Sequence, residues 1–218
     1  MKKLLTLICV LSFFLFYLQA KEQKSSLLDG IVIVLDAGHG GKDQGTTCKE
    51  ISEATINLAI VKKLQHHLQQ YGATIVLTRD GDYDLASNEA TNRKKEDLKA
   101  RMEIIQQNDA DLFFSIHVNS FPSSDVQGIQ LFYQKDNLTS KELTKYIHAH
   151  VQKVNDNILK DKEGQYYVLQ ESKIPSLLIE CGFLSNLNDR ELLMEDEYQN
   201  ELTKAMCEGI LDFFAFYY

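Results

Sequence analysis

Apolar positions along the chain follow two alternating rhythms. Short apolar runs, several rich in β-branched residues, occur at Ile31–Leu35 (IVIVL), Ala73–Thr78, Asp111–His117 (DLFFSIH), Gly128–Tyr133, Tyr166–Gln170 and Ser176–Glu180 (SLLIE). Runs of this length bounded by Gly, Asp and Asn predict strands, and those without polar alternation predict strands buried on both faces. Between them the apolar spacing turns helical. Ile56, Leu58, Ile60, Val61, Leu64 and Leu68 recur behind Ser52, a suitable N-cap that puts Glu53 in the first helical turn. Asp97 is read as the cap of a helix over Leu98–Gln107. Further helices are expected from Ser140 to about Ile158, near Asp189–Met194 and over Tyr198–Phe216. Asp36–Glu50 is a glycine-rich loop, and the polar, aperiodic stretch Tyr83–Lys95 is an exposed one. Strands alternating with helices predict an α/β fold, a single layered domain whose central, mostly parallel sheet is flanked by helices.

Composition fits one globular domain, assigned to residues 30–218: the 218 residues are 44% hydrophobic and 25% charged. Residues 1–20 differ from the rest. Lys2 and Lys3 precede an uncharged apolar run, Leu4–Leu18, and a small residue, Ala20, closes it. That is the pattern of an export signal peptide, with a retained membrane anchor as the alternative, and 21–29 reads as a polar linker. Either way the remainder is expected outside the cytoplasm. With 31 acidic against 23 basic residues and a net charge of −8, nucleic acid is excluded as a partner. Of four cysteines, Cys9 falls in the leader, and Cys48, Cys181 and Cys207 are an odd set that makes no disulfide framework.

Chemistry gathers where the strands end. Ligands of open α/β sheets bind beyond the carboxyl ends of the strands. His39 follows the first strand, His117 closes another, Glu180 closes a third, and Glu53 opens the helix after the first. Two imidazoles and a carboxylate form a donor set used by zinc hydrolases, leaving one carboxylate as general base. Singly, each has a simpler reading: a loop histidine, a hydrogen-bonded core histidine, an acid favoured by a helix N-terminus. Glu180 resists one, because a carboxylate ending a buried apolar strand must be paired or used. Other motifs fail. A dinucleotide fingerprint from Gly38 needs glycine where Asp43 stands, and a P-loop ending at Gly41-Lys42 needs glycine at Asp36 and a hydroxyl residue at Asp43. Cys48 as a fourth ligand would close the open position of such a site.

Five ordered segments carry a resemblance: Leu35–Gly41 (LDAGHGG), Glu53–Leu58 (EATINL), Leu77–Arg79 (LTR), Ser115–Asn119 (SIHVN) and Ile179–Asn186 (IECGFLSN). With them the chain resembles the zinc-dependent N-acetylmuramoyl-L-alanine amidases of bacterial cell walls, from Ile31 to about Phe214. The resemblance implies zinc held by His39, Glu53 and His117, Glu180 as catalytic residue, and a mixed sheet of about six strands. It departs from the family at Ala37, usually proline, and at Ala54, usually lysine. Arg93-Lys94-Lys95-Glu96-Asp97-Leu98 with Arg101 makes it most similar, within the family, to the germination-specific amidases of the spore cortex.

The expected reaction is hydrolysis of the amide between N-acetylmuramic acid and L-alanine, which strips stem peptides from peptidoglycan glycan strands. In spore-type relatives the bared muramic acid feeds muramic lactam formation. Asp36 is expected to orient the second ring nitrogen of His39 or to cap the turn, and Asn119 to contact substrate. Two alternatives stand beside this reading: a vegetative amidase for wall turnover or cell separation, and a catalytically silent domain that binds peptidoglycan or a partner. An accessory protein partner is left open.

Overall fold

The computed structural model describes residues 27–217. The expected leader over 1–20 and most of the linker over 21–29 lie outside these residues. The described end of that linker is part of the domain: Leu28 is fully buried and its N–H donates to Tyr71 O at 2.8 Å.

Six strands build the main sheet: β1 (Val32–Ala37), β4 (Thr74–Leu77), β5 (Leu112–Asn119), β6 (Gln130–Gln134), β7 (Lys162–Gly164) and β8 (Ser176–Phe183). Their order is β4-β1-β5-β8-β6-β7, and every pair is parallel except β6 with β8. A separate hairpin pairs β2 (Thr47–Cys48), inside the stretch read from sequence as loop, with β3 (Ile51–Ser52) just after it. Six helices accompany them among the described residues: α1 (Glu53–Gln69), α2 (Arg93–Gln107), α3 (Leu138–Val151), α4 (Tyr167–Glu171), α5 (Leu187–Met194) and α6 (Asp196–Phe216).

The uninterrupted apolar runs reflect burial on both faces. On one face Ile33, Leu35, Phe114, Ile116, Leu177 and Ile179 join the larger core beneath α1, α3 and α6. On the other, Val34, Phe113 and Leu178 join Met102 and Ile105 of α2 and Val168 and Leu169 of α4. Strand alternation then decides which side the polar residues take. Asp36 follows Val34, Ser115 and His117 follow Phe113, and Glu180 follows Leu178, so all four belong to the α2 face. Register completes the row, pairing Asp36 with Ser115 and His117 with Glu180.

Several elements differ from expectation. α2 begins at Arg93, capped by Asn92 Oδ1, which accepts from Lys95 N, while Asp97 accepts from Leu85 N and Arg101 Nε. Its first turn carries Arg93, Lys94 and Lys95, so apolar spacing alone cannot mark its start. α3 stops at Val151, because the chain turns through Asn155–Asn157, where Asn157 N donates to Asn155 Oδ1. Tyr166–Gln170, expected as a strand, forms α4 over Tyr167–Glu171 instead.

Candidate active site

The loop after β1 presents His39 in a left-handed conformation, φ 63°, followed by Gly40 at 127° and Gly41 at 59°. A histidine there is strained unless its surroundings fix it. Two buried arginines do so through backbone carbonyls. Arg79 donates from Nε to Ala37 O (2.8 Å) and from Nη2 to Gly38 O (3.0 Å) and Ala54 O (2.8 Å). Arg101 donates from Nη1 to Ala37 O (3.0 Å) and from Nη2 to His39 O (2.9 Å). Arg101 is itself paired with Asp36 through Nη1 and with Asp97 through Nε (2.8 Å).

Asp36 is therefore not the partner of the His39 ring. It points down from the sheet, where its carboxylate accepts from Thr78 Oγ1 and Ser115 Oγ, each at 2.6 Å, and pairs with Arg101. Burial opposes its charge, but Arg101 and the two hydroxyls outweigh it and hold the carboxyl below the ordinary range. The residue beside His39 Nδ1 is Asp43, with Oδ2 at 2.9 Å. A carboxylate four positions after a loop histidine, in the same glycine-rich turn, is the sequence signal for that role.

Three donor atoms converge in front of this turn. Glu53 Oε1 lies 2.9 Å from His117 Nδ1 and 3.3 Å from His39 Nε2, and all three lie within 4.8 Å of one another. Ser52 caps α1 as expected, its Oγ accepting from Thr55 N, which places Glu53 at the helix N-terminus. Backbone N–H groups of Val118 and Thr46 donate to Glu53 Oε1 (3.2 Å) and Oε2 (3.0 Å), and Asn57 Nδ2 approaches Oε1 at 3.4 Å. Space for these groups comes from glycine. A Cβ at Gly38 would land on the His117 ring, and one at Gly45 would meet the Glu53 carboxylate and His39 Cδ2.

Two of the three groups, Glu53 and His39, are shifted toward their charged forms. Burial opposes ionised Glu53, but hydrogen bonds from His117 and His39 prevail and hold it far below the carboxylate range. Burial likewise opposes protonated His39, yet Glu53 and Asp43 lift it to about 9. A buried carboxylate between two imidazole nitrogens, one of them backed by a second carboxylate, suits a divalent cation, and two nitrogens with one oxygen match tetrahedral zinc. The residues present fit that ion.

Glu180 stands next to His117 on β8, 6% exposed, and its Oε2 has no hydrogen-bond partner among the described residues. Burial and the charge of Glu53 push it up to about 7, against the opposing pull of His117 and His39. Tyr166 lies across the cleft, its ring edge-on to Phe132 at 5.1 Å. Burial and the charges of Glu180 and Glu53 push its phenol up to about 12, so it stays a neutral donor. His39, Glu53, His117, Tyr166 and Glu180, with Asn119, line a cavity of about 460 Å³. The cleft thus brings together His39, Glu53, His117 and Glu180, with Asn119 on its rim, while Arg79, Arg101, Asp43 and Asn57 supply support to which the sequence reading gave no role in the site.

Residues 33–212 match the family described as N-acetylmuramoyl-L-alanine amidase. The chain belongs to this family. A germination-specific N-acetylmuramoyl-L-alanine amidase of Bacillus subtilis is 34% identical over 86% of this chain and 81% of its own length. The CwlD amidase of Clostridioides difficile, solved in complex with the GerS lipoprotein, superposes with a TM-score of 0.82 at 42% identity, covering 85% of this chain and 99% of that one. The catalytic domain of the amidase CwlV from Bacillus (Paenibacillus) polymyxa reaches 0.75 at 30% identity over 84% and 97% of the two chains. The protein is therefore an amidase and a hydrolase, and the silent binding domain weighed from sequence is set aside.

Proposed function

We propose that His39 Nε2, Glu53 Oε1 and His117 Nδ1 hold zinc, and that Glu180 is the general base and acid in hydrolysis of the bond between N-acetylmuramic acid and L-alanine. Zinc bound there supplies Lewis-acid polarisation of the lactyl carbonyl and activation of water. Glu180 receives a proton from the attacking water on its carboxylate and returns it to the departing alanine nitrogen. A base whose pKa lies near the working pH serves both steps. Asp43 holds the His39 ring from behind, and Tyr166 offers a hydroxyl to the developing oxyanion. The observation that carries this reading is a buried, unpartnered carboxylate beside three converging donors.

The test is digestion of peptidoglycan with release of stem peptides followed by mass spectrometry. Glu180→Gln should keep its zinc and lose roughly 10²–10⁴ in rate. Release at the wild-type rate by zinc-loaded Glu180→Gln overturns the assignment.

Spore cortex is the compartment we favour, supported by the likeness to the germination-specific amidase of Bacillus subtilis. Deletion of the gene should remove muramic lactam from cortex peptidoglycan, and normal lactam content overturns the role. A vegetative role has its own support in the 30% identity to the probable cell wall amidase LytH of Staphylococcus aureus. Export across the cytoplasmic membrane is supported by the leader pattern read from sequence over 1–20 and by the wall location of the amidase substrate. No helix among the described residues is long and apolar enough to cross a membrane. A lipoprotein partner is proposed as well, on the precedent of the CwlD–GerS complex.

A further inference from the structure

The row of residues that forms the catalytic edge does not stop at Glu180. On its other side β8 pairs with β6, and the residue opposite Glu180 is Gln130, which faces the same way. Gln130 is buried, and its Nε2 donates to Lys160 O at 3.3 Å. One strand further out, Lys162 of β7 pairs with Phe132 of β6. Alternation separates the charges around the start of β7. Asp161 turns to the opposite side, where His148 Nδ1 meets it at 2.9 Å, while Lys160 and Lys162 turn to one shared pocket.

That pocket, about 470 Å³, is lined by Asn119, Phe121, Gln130, Lys160, Lys162 and Phe183. Asn119 lines the catalytic cavity as well, so the two spaces adjoin at the rim beside Glu180. Phe121 is 51% exposed at its mouth. Neither lysine forms an ion pair among the described residues, in a chain with an excess of acids.

We propose that this pocket is the stem-peptide subsite, in which Phe121 and Phe183 cover alanine side chains and Lys160 and Lys162 pair with the free carboxylates of an acidic peptide. The assignment rests on the amidase reading above. A substrate at the centre has two arms. Once the lactyl carboxyl is tied up in the scissile amide, the glycan arm carries hydroxyls and acetamides and no charge, so it offers two unpaired ammonium groups nothing to neutralise. The peptide arm carries free carboxylates, and a complementary charge beside an apolar floor is the arrangement that selects it.

The test uses zinc-loaded protein and two synthetic substrates, an N-acetylmuramoyl-L-alanyl-D-glutamate with both carboxylates free and its diamide. Wild type should show a KM about tenfold lower for the acid, equivalent to about 1.4 kcal/mol. In Lys160→Gln/Lys162→Gln, exposed positions at which folding is not at stake, the two KM values should converge. Equal KM values in wild type, or an undiminished preference in the double variant, overturns the subsite. A double variant that keeps the preference but loses a protein partner would assign the pocket to that partner and overturn it equally. Failure of zinc-loaded wild type to cleave either substrate is a different result, which removes the active-site reading proposed above and the subsite with it.

Discussion

Removing the Arg101 side chain should damage both stability and metal binding, and the two effects can be separated. Arg101 and Asp36 are 2% and 1% exposed. Arg101→Met leaves the Asp36 carboxylate buried with two hydroxyl donors and no cation, and leaves His39 O without its donor. Breaking a buried pair by deleting one partner costs about 3–5 kcal/mol, within the ~5–15 kcal/mol that holds a domain together, so the variant should still fold at room temperature. For a domain of this size the melting temperature falls by roughly 6–20 °C. The pH response reverses in sign. In the wild type the depressed Asp36 contributes stability that is complete above the ordinary carboxyl value of 3.8 and is lost as pH falls through the lower folded value. In Arg101→Met burial acts unopposed by that cation and raises the folded value. The penalty then grows as pH rises from about 4 and fades in acid. Asp36→Leu/Arg101→Met removes both charges and should regain much of the loss, though Thr78 and Ser115 lose their acceptor. It cannot restore the hydrogen bond to His39 O, so zinc affinity should stay down by about tenfold or more. Thermal melts by circular dichroism and competition with a chromophoric zinc chelator measure the two quantities. A single variant within about 1 kcal/mol of wild type, or a double variant with wild-type zinc affinity, would refute the reasoning.

Three further outcomes follow from the same geometry. Gly38→Ala drives a methyl into the His117 ring, so zinc binding should fall at least about tenfold in the chelator competition while far-UV circular dichroism is retained. Asp43→Ala takes the carboxylate from His39 Nδ1 and should cost about 10–100-fold in zinc affinity, with Asp43→Glu recovering part of it. Stripping the metal with a chelator should abolish peptide release and lower the melting temperature, by about 2.7 kcal/mol in stability relative to protein holding zinc at a hundred times its dissociation constant. Added zinc should restore both.

The candidate site was legible in sequence because it is written in strand ends. Asp36, His117 and Glu180 each terminate an apolar run, and parallel strands buried on both faces leave such residues one place to go. The cap at Ser52 was legible too, and with it the place of Glu53. Less visible were elements that owe their form to partners. α2 is charged over its first turn, and its buried Arg101 is held by an aspartate 65 positions away. β7 exists because β6 offers it an edge, and Tyr166 leaves the strand pattern to put its ring against Phe132. Orientation of the His39 ring was misplaced for a simple reason. Asp36 and Asp43 lie on either side of His39 in sequence, and only strand alternation, which turns Asp36 toward Ser115 and Arg101, decides between them.

That decision also explains how the turn tolerates Ala37. Proline, the residue family members usually carry there, stiffens a turn by restricting the unfolded chain, an effect of about 0.4–1 kcal/mol. Ala37 forgoes it, but its carbonyl accepts from Arg79 Nε and Arg101 Nη1 at once, and the next two carbonyls, of Gly38 and His39, are each taken by one of the same arginines. Charge-assisted bonds of this kind contribute more than neutral ones, so the clamp outweighs the missing ring constraint. Placement of His39 therefore depends on side chains from β4's exit and from α2, two elements with no chemistry of their own. Loosening either arginine should move His39, the first of the proposed zinc ligands, while every proposed ligand side chain remains in the sequence.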